Sequence, residues 1–578
     1  MRAPRVSVPL LSLPFSRLSH ASPRDSLTHP DASGRRRRLS ARGPRRLLTR
    51  ARLISPVRAM RQLAQTRPIW RVGRVPVAPA VSIAPAADVA LELSAGGSSS
   101  RLAIPTRSGV HPKVGYAREL RDTMPAAELR RRVWALSAPA IGEQLLALGV
   151  GVSDTFLSGH LSAYASARLG YGQATAVAAV GAAAMVTWVV LTAFFAVNVG
   201  VTALVARATG ARDARLAAKT AGQGALMGAI AGLLMLALAM PLADLITVAL
   251  GVNGQVAELA AQFIRVSSLG LPATGVASAC TAAMRGAGDT RRPVLVMLAV
   301  NGVNVAASWL LLNGEPSLGV QPVGVVGSAI GAATGWTLGA LLALTLLARR
   351  HPLAPRLSRA ALAPDVDVAK RTLRIGLPSA AELTVFQAGV LTFNHQVVSL
   401  GAVPYAANVT INTVESLGTL PAFGFSVAAT ALVGQALGAN SPKLAKRAAM
   451  AALWPCLWLM LALGLLAAAI PQTLLGLFVA DPAVLRAGDM AQRLSLLILP
   501  ASGATFIFNG ALRGAGDTKF PVVVRAVGSW GLRVPLAALL IPIFGLAGGR
   551  MAMSTDFLTQ AGLAYWRFHS GKWRKTRV

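Results

Sequence analysis

The sequence predicts an all-α integral membrane protein: twelve transmembrane helices in two parallel-repeat six-helix lobes around a central cavity. Three observations predict it. Hydrophobic residues make up 54% of the chain and charged residues 14%, with a mean hydropathy of +0.54. Soluble domains average about 45–50% apolar and about 25% charged. Twelve apolar stretches of spanning length follow one another from residue 133 onward, and a sequence repeat divides them six and six.

A bilayer core takes about 20 mostly apolar residues per helix. The stretches lie near 133–158, 175–203, 220–240, 259–280, 293–312, 323–347, 375–398, 407–433, 448–470, 487–510, 520–540 and 543–566. The loops test the count. Alternate loops at 204–219, 281–292, 348–374, 434–447 and 511–525 carry 20 Lys and Arg, whereas those on the other side carry two, Arg168 and Arg486. Basic loops mark the cytoplasmic side. Both termini are therefore expected in the cytoplasm.

The repeat is read from RGAGDT at 285–290 and again at 513–518, an offset of 228. Ala203-Leu204-Val205 returns as Ala431-Leu432-Val433 at the same offset, while Pro139 to Glu143 resembles Pro378 to Glu382 at an offset of 239. The first half thus carries an insertion of 11 residues, which we place in the outer loop holding Tyr164 and Tyr171. Six helices return a chain to the side it entered from, so the halves share one orientation, as in parallel-repeat carriers. Residues 133–347 form the N-lobe, 348–371 a basic cytoplasmic linker, 372–568 the C-lobe and 569–578 a basic tail.

Net charge is +35, a value that suits nucleic-acid binders. Its placement argues otherwise, because residues 1–132 hold 26 basic against 7 acidic side chains and the rest sits in short loops. Residues 1–123 are Arg-, Ser- and Pro-rich, and we read them as a disordered basic extension. They stand for a mis-assigned start ahead of Met124, an organelle transit segment or a basic tail on anionic lipid. Cys280 and Cys456 read as small buried hydrophobes, and the seven histidines form no metal-like cluster. Neither a nucleophile–base pairing nor a phosphate loop is present. These patterns point away from an enzyme, a cofactor or a metal site. The partners expected are a small organic substrate and the bilayer, with the chain a monomer.

The stretch LSAPAIGEQLLALGVGVSDTFLSGHL in the first helix, ALVARATGARD after the second and RGAGDT after the fourth, with second-half counterparts ALVGQALGAN and RGAGDT, resemble the multidrug and toxic compound extrusion (MATE) family. Within it they are similar to the DNA-damage-inducible F-like branch. The likeness runs from about residue 129 to the C-terminus. It implies export of organic compounds by alternating access, driven by inward H⁺ or Na⁺ flow, across the plasma membrane. A plastid membrane is implied instead if the extension is a transit segment. A flippase for a lipid-linked precursor, or an organic-acid exporter on the same two-lobe frame, is the alternative. It calls for a strongly cationic cavity, and the membrane-embedded charges read as mainly acidic.

Ionisable residues inside a membrane are costly and point to function. Asp154 lies fifteen residues after Pro139. The resemblance implies that a carboxylate at this distance binds the coupling cation. A buried carboxyl takes up a proton from one side and releases it to the other, or when ionised holds Na⁺. The competing reading is a solvated carboxylate at the outer rim. Asn304 matches an asparagine that helps bind the cation in some relatives. Ser308 stands where those relatives carry an aspartate, which tilts the coupling ion towards H⁺. Pro139 is the hinge candidate, because bending the first helix would move Asp154. Pro272, Pro378 and Pro421 also interrupt helices.

Glu143 and Glu382 occupy equivalent positions, Glu143 read as structural and Glu382 as either structural or functional. Glu382, Gln387, Asn394, Asn408, Asn412 and Glu415 are cavity-lining candidates in the second half. Asn408, Asn412 and Glu415 are spaced four and three apart and share one helix face, which lines a C-lobe cavity or forms a helix-packing seam. Arg285 with Asp289, and Arg513 with Asp517, are expected to pair across their glycine turns in the cytoplasmic loops.

Overall fold

The computed structural model describes residues 122–349 and 355–576. The expected extension therefore lies outside the described residues up to position 121, as do linker residues 350–354.

Six helices form the first half: α1 (Ala126–Gly159), α2 (Gln173–Gly210), α3 (Ala214–Ala249), α4 in two pieces (Gly254–Ser268 and Leu271–Ala287), α5 (Arg291–Asn313) and α6 (Val325–Ala348). Six more form the second: α7 (Val366–Val398), α8 (Ala402–Gly438), α9 (Pro442–Ala469), α10 in two pieces (Pro482–Arg493 and Ser495–Gly514), α11 from Lys519 and α12 ending at His569. The last two are divided at Gly545, whose φ of 57° leaves the helical region. A Cβ on Gly548 would lie 2.1 Å from the Leu540 carbonyl, so the chain doubles back there. Among the described residues, nine helical runs are long and apolar enough to cross a membrane, and Lys519–His569 is one of them. Divided at Gly545 it supplies two crossings. The second piece of α4 is 17 residues long, and the apolar stretch of α7 is broken by the polar Glu382 and Gln387. Together these make the twelve.

Local chemistry fixes the ends. Asp213 accepts from the Leu216 N–H at 2.8 Å at the start of α3, and Asp365 from Val368 at 3.1 Å at the start of α7. Side-chain acceptors there satisfy amides that a helix start leaves unpaired. Pro272 stands where α4 breaks and starts its second piece, where a proline lacks nothing the helix needs, whereas Pro378 and Pro421, expected to interrupt helices, lie inside the continuous α7 and α8. Residues 160–172 connect α1 to α2 and hold a short helix, Ala163–Leu169, whereas residues 399–401 suffice between α7 and α8. The extra residues of the first half do structural work: the Tyr171 hydroxyl accepts from the Val325 N–H at 2.9 Å and so caps α6.

Glycines set the packing. Gly327, Gly331, Gly335 and Gly339 recur every fourth residue along α6, a spacing that puts them on one ridge. A Cβ at Gly331 would lie 2.1 Å from Ser308 Oγ, and one at Gly335 2.7 Å from the Val300 carbonyl. Small residues let membrane helices approach this closely. Where α2 of the first lobe meets α7 and α8 of the second, a Cβ at Gly210 would fall 1.9 Å from the Gln435 carbonyl, at Gly438 2.1 Å from that of Arg207, and at Gly376 1.8 Å from that of Ala196. The Gly376 contact lies further along α2, and the Gly210 and Gly438 contacts lie at the ends of α2 and α8 near the two RGAGDT turns. There the first turns of α1, through Leu129, Val133 and Leu136, also enter the C-lobe core beside Phe425 and Leu432.

Candidate functional site

Asp154 points into the first lobe. Its α1 neighbours Leu157 and Ser158 are buried with it, while Val152, Thr155 and Phe156 stand on the exposed face. The acid is 6% exposed, which removes the outer-rim reading. Ser328 of α6 donates to Asp154 Oδ1 at 3.1 Å, and Asn304 of α5 also approaches the carboxyl group. Ser308 donates to Asn304 Oδ1 at 2.7 Å, leaving Asn304 Nδ2 buried without a hydrogen-bond partner. The pocket therefore contains one carboxyl group, an amide and two hydroxyls. It exists because Gly331 and Gly335 bring α6 down onto Ser308 and Asn304. Seven carboxylates are buried among the described residues: Glu143, Asp154, Asp289, Glu382, Glu415, Asp517 and Asp556. Six of them lie in ion pairs and Asp154 does not.

The second lobe pairs its charges off. Arg550 of α12 meets Glu415 of α8, and its Nη1 donates to Asn412 Oδ1 at 3.2 Å. Ser495 of α10 donates to Glu415 at 2.6 Å. Arg533 donates to Asp556 at 2.7 Å. Arg525 lies 3.6 Å from Glu382, donates to Gln560 at 2.7 Å and stacks 4.5 Å over the Phe386 ring. Asn509 donates to Glu382 at 3.1 Å. Asn408 donates to Asn394 at 3.2 Å. The stretch Ala526–Arg533 of α11 is π-helical, a wider turn that recurs at functional or strained positions.

Of the two readings for Asn408, Asn412 and Glu415, which do share a face, the contacts with α7, α10 and α12 favour the packing seam. Buried polar groups find partners, and here the partners are side chains. Gln387 is exposed on α7 and Asn394 half-buried. Contrary to expectation, the embedded charges are not mainly acidic. Arg525, Arg533 and Arg550 are buried opposite Glu382, Asp556 and Glu415, so the C-lobe interior is balanced. Arg525 was assigned to a loop and lies inside α11.

The MatE family model matches residues 139–310 and 378–539, more than half of the chain and one block per lobe. The chain belongs to the MATE family. It is a multi-pass membrane transporter and not an enzyme. A probable multidrug resistance protein NorM of Thermotoga maritima is 29% identical over 454 residues, covering 78% of this chain and 94% of that protein. The uncharacterised transporter YisQ of Bacillus subtilis is 23% identical, covering 76% and 94%. A superfamily transporter from Pyrococcus furiosus superposes with a TM-score of 0.69 at 19% identity, over 78% of this chain and 97% of that one. The likeness is one of fold, and MATE neighbours share the twelve-helix, two-lobe architecture.

On this MATE frame the turn residues pair differently from the expectation. Arg285 turns back to Glu143 of α1 rather than to Asp289, and also reaches Thr281 at 3.5 Å. Asp289 accepts from the Arg291 and Arg292 amides at 3.2 Å and starts α5. Asp517 takes Arg567 at 2.8 Å, while Arg513 lies 5.8 Å over the Phe195 ring of the other lobe. Arg285 and Asp517 are thus taken by side chains of α1 and α12, and Asp289 by amides that a helix start leaves unpaired. Pro139 sits inside an unbroken α1. Ser328, Arg525, Arg533, Arg550 and Asp556 escaped sequence reasoning. For the arginines the signal was available as ionisable residues inside apolar stretches.

Proposed function

We propose that this transporter exports organic compounds in exchange for H⁺ or Na⁺, with Asp154 as the coupling group. It would do so across the plasma membrane with both termini in the cytoplasm. The single observation behind this is that Asp154 is the buried carboxylate without an ion-pair partner, among seven described. An uncompensated buried charge is expensive, and an incoming cation removes that expense. The pocket of Asn304, Ser308 and Ser328 offers neutral oxygens around one carboxyl group. Ser308 in place of a second acid favours H⁺. The NorM relatives carry multidrug resistance in their names, which supports an organic, chemically broad cargo.

The close backbone contacts near the RGAGDT turns support an outward-open state, sealed on the cytoplasmic side. Cation uptake by Asp154 from outside would repack α1 about Pro139 and displace cargo outward. Closure outside and opening inside would then release the ion. The flippase or organic-anion reading needs free cationic groups facing the cleft. Arg525, Arg533 and Arg550 are each matched to a carboxylate and sealed within one lobe, which weighs against it. The test is dye efflux from inverted vesicles under separate H⁺ and Na⁺ gradients, comparing the unmodified protein with Asp154→Asn. Gradient-driven efflux should fall at least about tenfold, as for loss of a required ionisable group in a membrane. Undiminished efflux by the variant would refute the role of Asp154, and the more effective gradient identifies the ion.

A further inference from the structure

The reason for an identical RGAGDT turn at the inner end of each lobe is not supplied by ion coupling. Arg207, in the last turn of α2, and Gln435, in the last turn of α8, are separated by the repeat offset of 228 and so occupy equivalent positions. Each crosses the lobe boundary into the other lobe's RGAGDT turn. Arg207 Nη2 donates to the Ala515 carbonyl at 3.1 Å, and Gln435 Nε2 donates to the Gly286 carbonyl at 3.0 Å. Both acceptors stand where a helix ends and leaves carbonyls without intrahelical partners. Gly288, at φ 90°, keeps its turn low: a Cβ there would lie 3.1 Å from Gln435 Nε2.

Two further segments close over the same face. Arg207 Nη2 also donates to the Thr576 carbonyl at 3.1 Å. That tail is anchored by Trp573, which is fully buried and stacked on Phe568 with ring centroids 4.9 Å apart. On the entry side, Ser441 donates to the Asp122 carboxylate, and Arg447 donates to the Asp122 carbonyl at 2.7 Å and to that of Met124 at 2.6 Å.

We propose that Arg207 and Gln435 form a pseudo-twofold lock between the lobes, with the RGAGDT turns as its receivers. The tail at 571–576 is a strap fastened to the Arg207 half. The lock holds the lobes shut on the RGAGDT side and must open for that side to become accessible. Its place in a transport cycle rests on the alternating-access reading above, but the contacts and their test do not. The Arg207 half has the greater effect, because its hydrogen bonds are charge-assisted and it carries the tail.

The test uses the full-length chain with Cys280→Ala and Cys456→Ala and a reporter at Ala203→Cys, a buried seam position beside Ile375. Labelling by a membrane-permeant maleimide is timed with no substrate and no ion gradient. The reporter should react slowly in the parent. It should react about tenfold faster with Arg207→Ala, and by a smaller factor with Gln435→Met or truncation after Ser570, the order that loss of a charged against a neutral donor predicts. Gln435→Met keeps roughly the side chain's size and removes the donor without adding a charge, so it decides the matter if Arg207→Ala does not fold. A second reporter, Ala329→Cys in the N-lobe interior, should stay slow throughout. Parent-like rates in both single variants and in the double variant would overturn the lock, as would equal acceleration of both reporters. If Asp154→Asn exports normally while the lock variants label fast, the coupling role fails and the lock stands.

Discussion

The two lobes descend from one repeat, yet they differ in whether every buried charge is paired. In the first, Glu143 and Asp289 are paired beside the RGAGDT turn, but Asp154 is set among an amide and two hydroxyls with no cation of the protein's own. In the second, Glu382, Glu415 and Asp556 face Arg525, Arg533 and Arg550. Removing a charge from water costs several kcal/mol even after relaxation. The C-lobe offsets that cost internally and permanently. The N-lobe leaves it outstanding at Asp154, which makes its state depend on what arrives from solution. The same fold thus gives one lobe that responds to a cation and one that is held rigid by its own.

The sharpest way to break the comparison is to unbalance the C-lobe. Arg550→Met strands Glu415 in a dry seam and leaves Asn412 short of a donor. Loss of one partner from a buried pair typically costs about 3–5 kcal/mol, so the midpoint of thermal unfolding in detergent should fall markedly. Arg550→Met with Glu415→Leu should recover most of it, because no lone charge remains. Asp154→Asn in the other lobe should leave the midpoint level or raised, since it removes a charge that nothing pairs. If Asp154→Asn destabilises as much as Arg550→Met, the lobes do not differ in the way claimed.

The sequence carried the frame further than the chemistry. Twelve helices, the repeat and the inner face of the loops follow from hydropathy, basic-loop alternation and RGAGDT, all of which are local. Asp154 was legible because a carboxylate in an apolar helix is conspicuous. Its pocket was legible only in part: Asn304 and Ser308 lie on one helix at a spacing of four, but Ser328 joins them through the packing of α6 on α5. The Gly327 to Gly339 ridge is visible as a spacing of four, but what it packs against is not. The C-lobe arginines were obscured by the rule that found the loops. Counting basic residues as boundary markers placed Arg525 outside the membrane, and no sequence rule pairs Arg533 with Asp556 across a turn between helices. The shared face of Asn408, Asn412 and Glu415 was visible, but what covers it depends on three other helices.

A smaller perturbation sharpens the N-lobe side. Gly331→Ala adds one methyl group 2.1 Å from Ser308 Oγ and 3.0 Å from the Asn304 carbonyl. The α5–α6 contact must open, a strain of about 1–3 kcal/mol for an overpacked site. Because the displaced residues are those around Asp154, ion-driven efflux should fall by more than the unfolding midpoint suggests. Gly503→Ala in the C-lobe, where a Cβ meets the flexible Met460 side chain at 2.8 Å, should affect stability alone. Equal losses of efflux in the two variants would show that the Asp154 pocket is no more sensitive to helix spacing than the paired lobe.

The smallest effect belongs to the junction between the lobes. Asp365 starts α7 by accepting from the Val368 N–H at 3.1 Å, and lies 3.6 Å from Lys219 of α3. The backbone hydrogen bond, then Lys219, holds its carboxyl group below the usual range. A carboxyl group whose proton affinity is lowered by folding contributes stability above its unfolded pKa, and loses it as pH falls through the lower, folded value. Asp365→Ala should therefore unfold at a slightly lower temperature than the parent at neutral pH. That gap should persist at pH about 5 and shrink below about pH 4, where the parent's own carboxyl group becomes protonated. Since the group is at the surface and screened by salt, the gap should also narrow in high salt to the extent that Lys219 contributes, and the capping hydrogen bond should remain. A gap that grows on acidification would mean that the carboxylate is a liability at this junction, and that neutrality rather than pairing is what the second lobe requires even at its edge.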